Sequence, residues 1–215
     1  MVAGWRQSDD FTVSRNRSVE YAGLPREAIA LELENDTKVG LGGLRFDKNL
    51  ANGHIATVEG GYADLQGPAF QTGIGRVQLV DVQKPWARLN YNAPRWNFLG
   101  TWDGRDGEQR SLASGAPLFL DSTTYNLELQ GNADLAGGRG RIVGGVTYSD
   151  KTIDTSDAAG RQTLTFREVG SESQAAFAQL EWDLASNLRL VLAGRYDDST
   201  LHDSQFSPKG SLVWA

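Results

Sequence analysis

The sequence contains no cysteine, one methionine and two histidines. Without cysteine there is no disulfide framework, no thiolate metal site and no thiol nucleophile. His54 sits at a predicted strand start beside a turn, and His202 in a predicted loop. A catalytic or metal role for either would need convergent partners. Asp197, Asp198 and Asp203 beside His202 are residue types that bind cations, but a solvated acidic loop accounts for them more simply. Asp9 and Asp10 read the same way. No run of about 18 apolar residues occurs, which excludes a membrane-spanning helix. No basic stripe occurs either; with a net charge of -6 and a pI near 5.0, nucleic acid is excluded as a partner.

The motifs of nucleotide and hydrolase chemistry are also missing. Gly137-Gly138-Arg139-Gly140-Arg141 has no following Lys-Ser or Lys-Thr and opens no helix, so it is not a phosphate loop. Gly40, Gly42 and Gly43 lack the strand-turn-helix setting of a dinucleotide fingerprint. Ser111-Leu112-Ala113-Ser114-Gly115 has the wrong spacing for a nucleophile elbow. No catalytic, cofactor or metal site is therefore assigned, and the chain is not read as an enzyme. The opening residues, Met1 to Arg6, show neither the basic start nor the apolar stretch of a secretory leader. The chain is thus either soluble or an internal stretch of a longer exported protein.

What is abundant is glycine, at 25 residues, with six Trp, six Tyr and eight Phe. From residue 84 onward the apolar residues alternate with period two, the signature of amphipathic strands. Trp96, Phe98, Gly100 and Trp102 share one face, opposite Arg95, Asn97, Thr101 and Asp103. Tyr125, Leu127 and Leu129 oppose Asn126, Glu128 and Gln130. Ile142, Gly144, Val146 and Tyr148 form the apolar face of a third segment. Two more follow, one with Ala176, Ala178, Leu180 and Trp182, the next with Leu188, Leu190, Leu192 and Tyr196. Weaker strands are predicted at about residues 2–8, 37–46, 54–63 and 84–92, and a last one at about 205–214. Pro208 within that last strand implies a bulge or an edge. The mean hydropathy of -0.41 suits such a chain, because only every second strand residue is apolar.

The predicted connections alternate in length. Short turns fall at residues 47–53, 92–94, 134–139 and 185–187. Long polar segments fall at 9–36, 64–83, 104–122 and 150–173, with a shorter one at 198–204. Tight turns at one end and large loops at the other mark an outer-membrane barrel, whereas a sandwich mixes them. Tyr62, Trp102, Tyr125, Tyr148 and Tyr196 fall at the long-loop ends of strands, and Trp96, Trp182 and Trp214 near the short-turn ends. Indole and phenol rings favour the two membrane interfaces. Arg95, Glu128, Arg141, Glu181, Arg189 and Arg195 would then face a watery lumen, together with Arg88.

Three runs carry a family resemblance: Phe177-Ala178-Gln179-Leu180-Glu181-Trp182, then Leu188 to Asp197, then Phe206-Ser207-Pro208-Lys209 through Leu212-Val213-Trp214. They resemble consecutive barrel strands of TonB-dependent outer-membrane receptors. Thr72 to Val77, followed by Trp86 to Tyr91, is similar to an earlier segment of such a barrel. The resemblance implies a receptor that imports a scarce ligand, such as an iron chelate, a vitamin or a glycan, bound by extracellular loops. It also implies contact with the TonB system, through a full-length receptor only. Neither the family's plug domain nor its TonB box is visible, so residues 1–215 read as part of the barrel alone.

The fold class expected is all-β: an antiparallel transmembrane β-barrel segment of about ten strands with long extracellular loops and short periplasmic turns. Its partners would be outer-membrane lipid and an unknown small ligand, in the bacterial outer membrane. The rival readings are a self-contained small pore and a soluble β-rich binding module. An open sheet with an apolar outer face should aggregate in plain buffer and gain strand structure only with detergent. Circular dichroism with and without micelles checks this, and a monodisperse folded monomer in buffer would reject the membrane reading.

Overall fold

The computed structural model describes residues 2–8, 37–67, 69–73, 75–111 and 114–214. The segment 9–36, predicted as a long polar connection, lies outside them. The described residues form one antiparallel sheet of twelve strands. These are β1 (Val2–Ser8), β2 (Thr37–Asn49), β3 (Ile55–Gln66), β4 (Ala69–Thr72), β5 (Gly75–Asn92) and β6 (Trp96–Ser111). They continue as β7 (Pro117–Phe119), β8 (Asp121–Leu135), β9 (Gly140–Asp154), β10 (Val169–Ala185), β11 (Leu188–Ser199) and β12 (His202–Trp214). Ten strands pair in chain order, while β4 adds to β5 and β7 to β6. Among the described residues the only helical pieces are two single turns, Ala51–Gly53 and Ala136–Gly138.

Those two turns share a local sequence, Leu-Ala-x-Gly. Leu50 and Leu135 are extended, and the chain then turns through left-handed residues: Asn52 (φ 59°) and Gly53 (φ 75°) in one, Ala136 (φ 49°), Gly137 (φ 66°) and Gly138 (φ 95°) in the other. Asn and Gly tolerate this backbone at little cost. These turns, with the tight links at 93–95 and 186–187, form one end of the sheet.

The register sorts the side chains cleanly, because cross-strand partners share a face. Phe98 pairs with Tyr91 on one side and Leu129 on the other. Leu129 pairs with Val146, Val146 with Ala176, Ala176 with Tyr196, and Tyr196 with Phe206. One apolar face thus runs across the sheet, and its large side chains stand exposed, Leu129 at 46% and Val146 at 53%. A slip of one residue in any strand would turn this set to the opposite face. Pro208, opposite Gly194, lies in β12, which pairs only with β11 among the described residues.

Among the described residues, the long connections are shorter than the sequence predicts. β5 begins at Gly75 rather than near residue 84, and β6 continues to Ser111 through a stretch read as loop. β7 and the first residues of β8 occupy the rest of the segment 104–122. β11 and β12 leave only Thr200 and Leu201 between them. At 3.3–3.4 Å per residue, β5 extends about 60 Å, well beyond what crosses a bilayer even when tilted. The long-loop end is therefore largely sheet.

Candidate functional site

Two regions carry chemistry: the polar face of the sheet and the structured cap at its long-loop end. On the polar face, Arg45, Glu59 and Arg88 are directly opposite one another on β2, β3 and β5. Glu59 receives Arg88 at 3.0 Å and lies 3.8 Å from Arg45, which itself bonds Asp47 at 2.8 Å. Farther along, Arg189 holds Asp183 at 2.7 Å and lies 3.6 Å from Glu181, and Arg195 holds Asp197 at 2.8 Å. Ion pairs this exposed contribute little to stability. Their effect is to fix a charged, hydrated wall.

Glu128, Arg141, Glu181, Arg189 and Arg195 all fall on this face by register. Arg95 does not stand in a strand: β6 starts at Trp96, and Arg95 occupies the preceding turn. Pro94 interrupts the strand there, and the Arg95 carbonyl accepts the Asn132 N–H at 2.8 Å. Tyr62, Trp96, Trp102, Tyr125, Tyr148, Trp182, Tyr196 and Trp214 all lie on the opposite, apolar face. Trp96 stacks on Tyr91 with ring centroids 5.0 Å apart, and the Tyr91 hydroxyl contacts His54 Nδ1 at 2.9 Å. His54 is thus part of an aromatic cluster.

Two aromatics face the polar side instead. Trp86 lies over Gly61, and Phe177 over Gly145. A ring laid on a cross-strand glycine fills the gap left by the missing side chain. Sequence pattern alone does not reveal this, because the partner glycines are known only once register is fixed.

The cap holds most of the deeply buried residues. Val77, Leu79, Val82 and Leu118 are buried, as are Gln78, Gln109 and Thr155. Gln78 Nε2 donates to the Gly67 carbonyl at 2.8 Å, and Gly67 N–H donates to Leu79 at 2.8 Å. The connection between β9 and β10 folds onto this core. The Thr155 hydroxyl donates to Gln162 Oε1 at 2.6 Å, Gln162 Nε2 to Asp154 at 2.9 Å, and Phe119 N–H to the Thr163 hydroxyl at 2.9 Å. Phe166 is left fully exposed near the end of the connection. Among the described residues, no group of three or more His, Cys, Asp or Glu is placed to hold a metal ion.

Asp157 organises the tip. Its carboxylate accepts the N–H groups of Ala159 and Arg161, each at 2.9 Å, and pairs with the Arg161 guanidinium at 2.7 Å. The Arg161 side chain, then the backbone N–H groups, hold the Asp157 carboxyl below its ordinary value of 3.8. A depressed folded-state value means that this carboxylate supports the tip at pH above 3.8, and that the support is lost as pH falls through the folded value. A spin label at Ala158 should therefore be immobile at neutral pH and loosen only in acid. Asp157→Asn should make it mobile at neutral pH, and a label equally immobile in that variant would refute the role.

Comparison with known proteins gives this architecture a family. The family model described as TonB dependent receptor-like, beta-barrel matches residues 5–215. The chain belongs to the TonB-dependent receptor-like β-barrel family. Its place is therefore the bacterial outer membrane. Among solved structures it is similar to the siderophore receptor PirA from Acinetobacter baumannii, with 12% identity and a TM-score of 0.65 over 99% of this chain and 35% of that one. It is also similar to the alcaligin outer-membrane receptor FauA from Bordetella pertussis, with 16% identity and a TM-score of 0.54 over 84% of this chain and 33% of that one. This TonB-dependent receptor-like chain spans about a third of the length of the receptors it matches. No curated protein matches its sequence. Membership removes the reading as a soluble β-rich module.

Proposed function

We propose that this chain forms part of the wall of a ligand-importing outer-membrane receptor. One observation carries the reading: a single antiparallel sheet separates an apolar face from an ion-paired polar face and ends in an ordered cap. In this reading the apolar face meets lipid, and the eight named tyrosines and tryptophans mark its two interfaces. Glu128, Arg141, Glu181, Arg189 and Arg195 line the lumen, and the cap meets ligand. The likeness to a siderophore receptor makes an iron chelate the first ligand to test, ahead of a vitamin or a glycan. Coupling to the TonB system would come through the full-length receptor.

Deleting the gene and supplying ferric chelates, vitamins or glycans as the sole source tests this. Growth should fail on one class only, and should fail in the same way in a strain without TonB. Unchanged growth on every class would overturn the import reading.

A further inference from the structure

On the polar face, at the base of the cap, one stretch is charged without being paired. Gln83 pairs with Asp106 and Trp86 with Asp103, which sets Lys84 directly opposite Arg105 on the neighbouring strand. Like charges placed opposite each other weaken a sheet. Neither cation is neutralised among the described residues. Lys84 has no hydrogen bond or ion pair there. Arg105 gives only one long hydrogen bond, to Gln109 Oε1 at 3.3 Å, and its Nε is buried with no partner. Such a guanidinium has lost part of its hydration without gaining a counter-charge. Asp103 pairs with Thr124 and Thr124 with Lys151, so a third cation shares the face with the one carboxylate of the stretch. Below it the Arg45, Glu59 and Arg88 charges alternate in sign from strand to strand. A sheet that breaks its own pairing rule at one place marks that place as serving something besides stability.

A flat ring adjoins these cations. Trp86 stands between Lys84 and Arg88 on the same face of β5, and its indole spreads across two strands. A Cβ at Gly61 would lie 2.7 Å from its Nε1, and one at Gly43 would lie 3.7 Å from its Cζ2. One side of the ring is laid on glycine backbone, yet the residue is 37% exposed, so the other side is open. Val82, two residues along the same face, is already in the buried core of the cap. An open indole accepts another flat ring by offset stacking. The cations beside it accept negatively charged oxygens, Arg105 through its planar fork. A neutral sugar would use the ring and leave the charges unmet. A hydroxamate chelate of iron has neither an aromatic ring nor negative charge, and would use neither.

We propose that Trp86, Lys84 and Arg105 form a subsite for an aryl oxyanion, a flat ring carrying negatively charged oxygens such as an iron-chelating catecholate. The inference rests on the import reading and narrows it to chelates whose iron-binding groups are aromatic and anionic. Equilibrium dialysis of radioactive ferric 2,3-dihydroxybenzoate against the full-length receptor in detergent micelles tests it, with ferric acetohydroxamate as the comparison. The aryl chelate should bind about tenfold more tightly. Trp86→Leu keeps an apolar side chain over Gly61 but removes the stacking face, and should weaken that binding roughly fivefold, whereas Trp86→Phe should restore most of it. Lys84→Gln with Arg105→Gln should weaken it about tenfold and remove most of its salt dependence. Lys48→Gln, which removes the same charge at the short-turn end, should bind as the unaltered protein does. Equal or tighter binding of the hydroxamate would overturn the subsite while leaving iron import standing. So would unchanged binding in both Trp86→Leu and the double variant. Binding of neither chelate would overturn the subsite and the choice of an iron chelate together.

Discussion

Leu129→Arg is expected to lower the unfolding free energy by about 2–4 kcal/mol in a bilayer, whereas Glu128→Arg beside it should change it by less than about 1 kcal/mol. Leu129 pairs with Phe98 and Val146, at mid-height between the tyrosines and tryptophans of the apolar face. An arginine there meets hydrocarbon and must bend toward the interface or draw water in. Glu128 pairs with Leu99 and Thr147 on the opposite face, where the neighbouring strands carry hydrated ion pairs. An arginine there remains solvated. Urea titration of the whole protein in lipid vesicles measures both. Equal losses, or a larger loss at residue 128, would show that the faces are assigned the wrong way round.

Gly145→Ala should cost about 2–3 kcal/mol, the scale of overpacking in a closely packed site. A Cβ at Gly145 would lie 2.6 Å from the Leu129 carbonyl oxygen and 2.8 Å from the Phe177 ring. The carbonyl belongs to the sheet ladder and has little room to move, so relaxation must come partly from the strands. Gly131→Ala is the control. Its Cβ would meet only the Arg95 carbonyl, at 3.6 Å, an ordinary contact. That change should be neutral or slightly stabilising, because alanine loses less backbone freedom on folding. Phe177→Ala combined with Gly145→Ala should cost less than the two single losses summed, since one ring accounts for part of the clash. Strict additivity would mean that the ring and the glycine do not interact.

Much of the fold is legible in the residues themselves. In β8 to β12, and in β6 as far as Trp102, the alternation of apolar and polar side chains gives the facing of each strand, because one face is apolar between the rows of tyrosine and tryptophan. The cap is illegible for two opposite reasons. Residues 76–82 hold a nearly continuous run, Val77 to Val82, buried within the cap core and interrupted by a register shift between Leu79 and Asp81. Residues 103–110 are almost wholly polar, so no alternation shows, and they become strand because β5, β7 and β8 supply partners. The sequence pattern continues backward past Pro94 to Arg95, but the proline ends the strand, so Arg95 lies in the turn before β6. The ion pairs of Glu59 and the facing of Lys84 and Arg105 depend on register between strands, which no single segment contains.

The cap's buried core has a consequence for recognition. A loop that orders only around its ligand gives up part of the contact energy to its own lost freedom. Here the Thr155–Gln162–Asp154 hydrogen bonds and the Val77, Leu79 and Leu118 packing are already in place. If the cap meets ligand as proposed, a solute arriving from outside would meet a surface whose shape is set in advance. Its affinity would then follow from the side chains presented on that surface, and substitutions there should alter selectivity with little change in the speed of capture.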